Sequence, residues 1–282
     1  MSDEINSTLL QLGHHFSPKL IRLAGYLGRE ELAKLLQPLR KDPKRLEPYG
    51  NKIFSQGDED GILQEIFSRI GVTQGTGLEI GVERGIECNS HLLLLQGWRI
   101  HWIEGSDFGA QCIREKFGDV LTSRQLTFSH TFVTLENLQE SLMEVPTELD
   151  FLGIDVDGND YYFLEAMNIK PKVICIEYNA KFPPGMSLVQ KYNPSHTWCG
   201  SCYFGASLTA LWKLAQKLGY TLVGTNIVGT NAFFVRNDLV RDKFCDPATP
   251  EALYNPPRYW LIQDVYIQNG HPPDHGPFIE VP

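Results

Sequence analysis

Positive charge is in short supply in this chain. Its 282 residues carry 25 Lys and Arg against 34 Asp and Glu, a formal net charge of −9. A protein that lives on nucleic acid needs a basic face for phosphates, and so does one that docks on an anionic membrane. Neither partner is expected. Long apolar runs are also missing. The longest candidate, Leu92-Leu93-Leu94-Leu95, is cut by Gln96 and Gly97, well short of the ~20 residues of a spanning helix. Met1-Ser2-Asp3-Glu4 lacks the basic-then-apolar order of a signal peptide, so a cytoplasmic location is expected. Internal repeats and low-complexity runs are absent. The cysteines (Cys88, Cys112, Cys175, Cys199, Cys202 and Cys245) do not imply disulfides by an even count alone in a chain this long. No Gly-x-Gly-x-x-Gly occurs, which argues against a nicotinamide-dependent oxidoreductase.

What is present begins at Leu78-Glu79-Ile80-Gly81-Val82-Glu83-Arg84-Gly85, a short apolar strand running into an acid and two glycines. About twenty residues on, the spacing of nucleotide-binding βαβ units, Ile100-His101-Trp102-Ile103 ends in Glu104. A glycine turn between strand and helix lets a ligand approach the backbone, and an acid closing the next strand can accept both hydroxyls of a ribose. The Glu-x-Gly-x-x-x-Gly spacing suits a nucleoside without a pyrophosphate better than a dinucleotide.

At 42% hydrophobic, the chain can bury a full core as one domain with extensions. Residues 1–50 read as a helical cap, from Leu9, Leu10, Leu12, Leu20, Ile21, Leu23, Leu32, Leu35 and Leu36 near helical spacing. A lid or the arm of a homodimer is the sharper alternative. Phe54-Ser55-Gln56-Gly57-Asp58-Glu59-Asp60-Gly61 is a polar turn leading into an apolar helix from Ile62 to Ile70. Asp58 is either that helix's cap or, with Ser55 and Gln56, a contact to the nucleoside. Beyond it, strands are expected at 77–81, 99–104, 126–130, 149–155, 172–178, 220–226 and 231–236. Helices are expected near 86–96, 107–118, 135–144, 160–167 and 205–218. Such alternation predicts an α/β fold: a doubly wound, mostly parallel sheet closed by a terminal hairpin. The main domain spans 51–240. Residues 241–282 form a Pro- and aromatic-rich tail without periodicity.

Ligands of open parallel sheets bind at the carboxyl ends of strands. Two such ends are acidic: Leu149 to Ile154 runs into Asp155-Val156-Asp157-Gly158-Asn159-Asp160, and Val173 to Ile176 runs into Glu177-Tyr178-Asn179. As neighbours in the sheet they would bring Asp155, Asp157, Glu177 and Asn179 to one rim. Unpaired carboxylates at one rim repel, and a divalent cation such as magnesium or manganese removes that cost. It would also lower the pKa of a bound hydroxyl. The plainer alternatives are that Asp157-Gly158-Asn159-Asp160 is an ordinary turn and helix cap and that Asp155 faces a cofactor amino group. Lys181 to Tyr203 reads as a long loop, hence a substrate-side wall or lid, and it carries His196, the best general-base candidate on its near-neutral pKa. Trp198-Cys199-Gly200-Ser201-Cys202 has the spacing of a redox motif. No strand precedes it closely and no second Cys-x-x-Cys completes a zinc site, so it is expected to be a structural loop.

The glycine turn, Glu104, Ser55 to Gly61 and Asp150-Phe151-Leu152-Gly153-Ile154-Asp155-Val156-Asp157-Gly158 together resemble the FkbM-like branch of the class I methyltransferases, over roughly residues 52–236. The resemblance implies a Rossmann-like, seven-stranded sheet and an O-methyltransferase that uses S-adenosyl-L-methionine. Its substrate would be a small molecule or sugar, often in secondary metabolism. Carried over, Glu79, Gly81 and Gly85 form the cofactor turn. Glu104 holds the ribose, with Gly105 and Ser106 beside it, and Asp155 lies next to the transferred methyl. Asp155 with Glu177 and Asn179 resembles the metal set of magnesium-dependent O-methyltransferases. The alternative is a catalytically silent binding protein on the same fold, acting through partners.

Overall fold

The computed structural model describes residues 23, 25–261 and 278–281. Apolar runs ending at a glycine or an acid make the strands β1 (Thr76–Ile80), β2 (Arg99–Glu104), β4 (Glu148–Ile154) and β5 (Lys170–Glu177), while β3 (Leu126–His130) is a more polar edge strand. After a short β6 (Leu188–Gln190) come β7 (Tyr220–Thr225), β8 (Asn231–Arg236) and β9 (Phe278–Glu280). Seven of them form one sheet in the order β3-β2-β1-β4-β5-β8-β7. Strands β1 to β5 pair in parallel, and β8 runs antiparallel to both β5 and β7. The expected doubly wound sheet with its terminal hairpin is what forms.

Alternate residues of the central strands feed two cores, as a strand buried on both faces requires. Leu78, Ile80, Leu152, Ile154, Ile174 and Ile176 pack on one face with the helix Leu208–Leu218. Phe151, Val173, Cys175 and Trp102 pack on the other with Ile62, Leu63, Ile66 and Phe67 of the helix Glu59–Ile70. Strand order reverses between β1 and β4: β2 and β3 lie to one side of β1, and the chain then crosses back to its other side. That switch opens a crevice above the strand ends.

Two expectations are corrected here. The helix foreseen over 86–96 is confined to His91–Leu95. The buried Glu79 carboxylate accepts the Asn89 and Ser90 amides, each at 2.8 Å, and holds the preceding residues as a loop. The Lys181–Tyr203 segment is not structureless, because β6 pairs with β9 in a separate two-stranded sheet. Of the apolar positions expected to form an N-terminal cap, Leu36 is buried against Ile227, Val228 and Leu261. Leu9, Leu10, Leu12, Leu20 and Ile21 fall outside the described residues.

Candidate functional site

A cleft of about 890 Å³ opens over the carboxyl ends of β1, β2, β4 and β5. Its floor is the turn after β1. Gly81 has φ +81, and a Cβ there would lie 1.7 Å from the Asp155 carbonyl oxygen, so only glycine lets β1 and β4 end side by side. Gly85, at φ +70, leaves room for the Trp102 ring, 2.6 Å from an added Cβ. Glu79 supports this floor from beneath and is not among the residues lining the cleft; the Ser90 hydroxyl also donates to it.

Glu104 stands at the end of β2 in the cleft wall. Its oxygens accept the Glu83 amide at 2.8 Å and the Ser106 amide at 2.7 Å. Ser106 then caps the helix Asp107–Lys116 through the Gly109 amide at 3.0 Å, and Gly105 also lines the cleft. A carboxylate oxygen has two lone-pair directions, so this acid can hold the turn and still accept from a ligand. Beside it the exposed rings of Phe108 and Phe132 line the same wall, a surface suited to a flat apolar ring. Sequence reasoning missed both. Their only signal was a phenylalanine shortly after each of two predicted strands.

Opposite lie the acids. Asp155, Asp157 and Glu177 each offer an oxygen within 4.8 Å of the others. Burial pushes the Asp155 carboxyl well above the carboxylate range, and the charges of Asp157 and Asp160 add to it. Glu177 is raised likewise, by burial and then by Asp155 and Asp157. Asp157 is pushed up to about 6, by burial first and by Asp160 next. Glu177 Oε2 is a buried oxygen with no hydrogen-bond partner. The cleft lining holds Glu83, Glu87, Glu104, Asp155, Asp157 and Glu177 against one arginine, Arg84. An all-oxygen donor set with an unsatisfied member fits a hard divalent cation.

Asp157 does not cap the following helix. It is the turn's left-handed residue, at φ +56, and Asp160 closes the turn by accepting the Val156 and Gly158 amides at 3.0 and 2.9 Å. Asn179 is corrected more firmly. It is fully buried, gives both amide protons to the Cys202 and Phe204 carbonyls at 2.9 Å, and accepts from the Lys181 amide. The reason is that β5 stops at Glu177. Beyond it the chain leaves the sheet and Asn179 turns to anchor the loop, not to the rim. Ser55 and Asp58 are also drawn elsewhere. Ser55 bonds within its own turn, to Gly57 O and Asp60 N, and Asp58 lies under the β7–β8 turn, accepting the Ile227 amide. Of that polar segment only Gln56 lines the cleft.

His196, Thr197 and Trp198 form the far wall. Asn159 holds this stretch, donating to Asn193 O at 2.8 Å. His196 Nε2 sits 3.0 Å from the Asp157 carbonyl. A carbonyl only accepts, so Nε2 carries the proton and any base function runs through Nδ1. Gly158 is required beneath the ring, since a Cβ would fall 2.4 Å from His196 Cδ2. The tail supplies one more lining residue, the buried Tyr259, which lacked any sequence signal. Cys199 is exposed and Cys202 buried. Among the described residues no third Cys or His joins them in a metal-competent group, and none of the helices is long and apolar enough to cross a membrane.

No protein-family model matches the chain, and no curated protein is significantly similar to it. Solved structures do align with it. A candidate caffeoyl-CoA O-methyltransferase from Staphylococcus aureus is 15% identical over 82% of this chain and 98% of its own, with a TM-score of 0.44. The glycopeptide N-methyltransferase MtfA, solved with S-adenosyl-L-homocysteine, is 13% identical over 68% of this chain and 95% of its own, at 0.39. The N-terminal domain of EvdMO1, solved with S-adenosylhomocysteine and D-fucose, is 14% identical over 73% and 94%, at 0.41. These identities are too low to transfer an activity.

Proposed function

We propose that the protein is a methyltransferase that uses S-adenosyl-L-methionine and methylates a hydroxyl of a small metabolite or sugar. One observation carries the reading: Glu104, with oxygen lone pairs to spare, faces the cleft across the glycine turn from the Asp155, Asp157 and Glu177 carboxylates. Glu104 accepts the ribose hydroxyls, Gly81 allows close approach at the turn while Gly85 packs it on Trp102, and Gln56, Gly105 and Ser106 flank the nucleoside. The cofactor's sulfonium and ammonium are cationic, and the acid-rich lining complements them.

In the reaction a hydroxyl oxygen attacks the methyl carbon. The carbon–sulfur bond breaks with its electron pair going to sulfur, which releases S-adenosylhomocysteine. The hydroxyl proton passes to a base, for which His196 Nδ1 and the Asp155 carboxylate are the candidates. Asp155, Asp157 and Glu177 would hold magnesium or manganese, and such an ion would lower the pKa of a hydroxyl and relieve the repulsion among the three acids. A silent binding protein on this fold would have no use for that crowding, since it costs stability.

Titration calorimetry with S-adenosylhomocysteine and, separately, NAD tests the reading. Saturable binding of the first and none of the second is expected. The reverse would point to a dehydrogenase. S-adenosylhomocysteine binding with no turnover across hydroxylated acceptors, metal supplied, would favour the silent binder.

A further inference from the structure

Gln56 and Thr230 line the same cleft from segments far apart in the chain. One carboxylate joins them. Glu59 opens the helix Glu59–Ile70 and is fully buried. Its Oε2 accepts the Gly57 amide at 2.8 Å, inside the Gln56 turn. Its Oε1 accepts three donors from the β7–β8 hairpin: Asn226 Nδ2 at 2.6 Å, Asn231 Nδ2 at 3.0 Å and Thr230 Oγ1 at 3.1 Å. Among the described residues no Lys, Arg or His bridges to it.

The joint continues into the acidic rim. The Thr230 carbonyl accepts the Tyr178 amide at 2.8 Å, and Tyr178 follows Glu177. Asn231 stands opposite Glu177 in the β5–β8 register. The two turns also press together. A Cβ on Gly57 would lie 2.9 Å from Glu59 Oε1 and 3.1 Å from Val228 Cγ2, so the Gln56 turn has no room to slide. A buried carboxylate without a cation is a costly fastener where apolar contact would serve a purely structural joint. What it adds is direction: four donors from two segments fix one geometry.

We propose that Glu59 is a positioning residue, clamping the Gln56 turn to the Thr230 hairpin so that Gln56 meets the nucleoside at a set distance from the strand end bearing Glu177. This rests on the cofactor reading given above. The clamp acts through Gln56, so its effect on cofactor affinity must vanish when Gln56 is already gone.

The test is calorimetric titration of S-adenosylhomocysteine into wild type, Glu59→Gln, Gln56→Ala and the double variant, each held well below its melting temperature. Glu59→Gln keeps the shape but places an amide donor where the segments need an acceptor. A loss of about tenfold in affinity is expected. The double variant should bind no more weakly than Gln56→Ala alone, the mark of residues that act through one another. Should Glu59→Gln not fold, Gly57→Ala replaces it in the same cycle, since its added methyl disturbs the same joint. A lowered melting temperature with unchanged affinity, or losses that simply multiply, would overturn the clamp alone. A wild type that does not bind S-adenosylhomocysteine overturns the cofactor reading, and the clamp with it.

Discussion

The Glu83 amide donates to Glu104 Oε2 at 2.8 Å, so the acid that ends β2 holds the turn that ends β1. Glu83 is there in the left-handed region, at φ +47, a conformation that a non-glycine side chain rarely adopts without support. The ribose-binding candidate and the backbone turn beside it are thus one unit.

Glu104→Ala should therefore act twice. It removes a charged acceptor, worth ~1.5–3 kcal/mol, and it releases the Glu83 and Ser106 amides. Affinity for S-adenosylhomocysteine should drop about tenfold or more. Calorimetry checks this, and binding as tight as wild type would rule out the ribose assignment.

Divalent metal should stabilise the protein without any substrate. Magnesium or manganese at about a hundred times its dissociation constant would add roughly 2.7 kcal/mol, read as a rise in melting temperature. In Glu177→Gln that rise should be lost, while the metal-free variant should melt higher than metal-free wild type, because the amide has no ionised form for burial and the neighbouring acids to oppose. Once a substrate is in hand, EDTA should abolish turnover and spare cofactor binding. Full turnover in excess EDTA would leave the rim as a metal-free site with His196 as its base.

Asp58 predicts a pH dependence. Burial, then Glu59 and Glu47, raise its carboxyl from 3.8 to about 8. The folded state therefore keeps a proton that the unfolded chain gives up near pH 4. The stability contributed is present below the unfolded value and falls as pH climbs towards 8, by at most about 1.4 kcal/mol per pH unit. Asp58→Asn has no such proton to lose. Its melting temperatures at pH 6 and pH 8 should differ less than those of wild type. An equal difference in both proteins would mean that this carboxyl titrates outside that window.

Replacing Cys199 and Cys202 together by serine should leave cofactor affinity and melting temperature unchanged in reducing buffer. The positions serve a loop, and a hydroxyl fits a position where no metal or redox chemistry is needed. Stoichiometric zinc in the native protein, or a collapse of either measurement, would contradict this.

The sheet and the cleft's central residues were legible because they obey local rules. Apolar runs such as Phe151–Ile154 and Val173–Ile176 announce strands, and the acid closing each one marks the end where ligands bind. Asp155, Asp157 and Glu177 met at one rim because β4 and β5 are neighbours in parallel register. Asn179 misled because spacing by two shares a face only while the strand lasts, and β5 ends at Glu177. Ser55 and Asp58 misled because their partners, the Asp60 amide and the Ile227 amide, are fixed by how the turn packs, which a linear pattern does not carry. Phe108, Phe132 and Tyr259 reach the cleft only through tertiary placement.

Tyr259 has one further consequence. Its neighbours tie the tail to the body: Arg258 donates to the Ile227 carbonyl at 3.0 Å, and Asn255 bonds Glu47 and Thr225. A ribosome makes these residues after all seven strands of the main sheet. During synthesis the sheet and its acidic rim can assemble while Tyr259 is still missing from the cleft lining. The cleft lining is therefore complete only once Asn255 to Tyr259 have emerged and folded back.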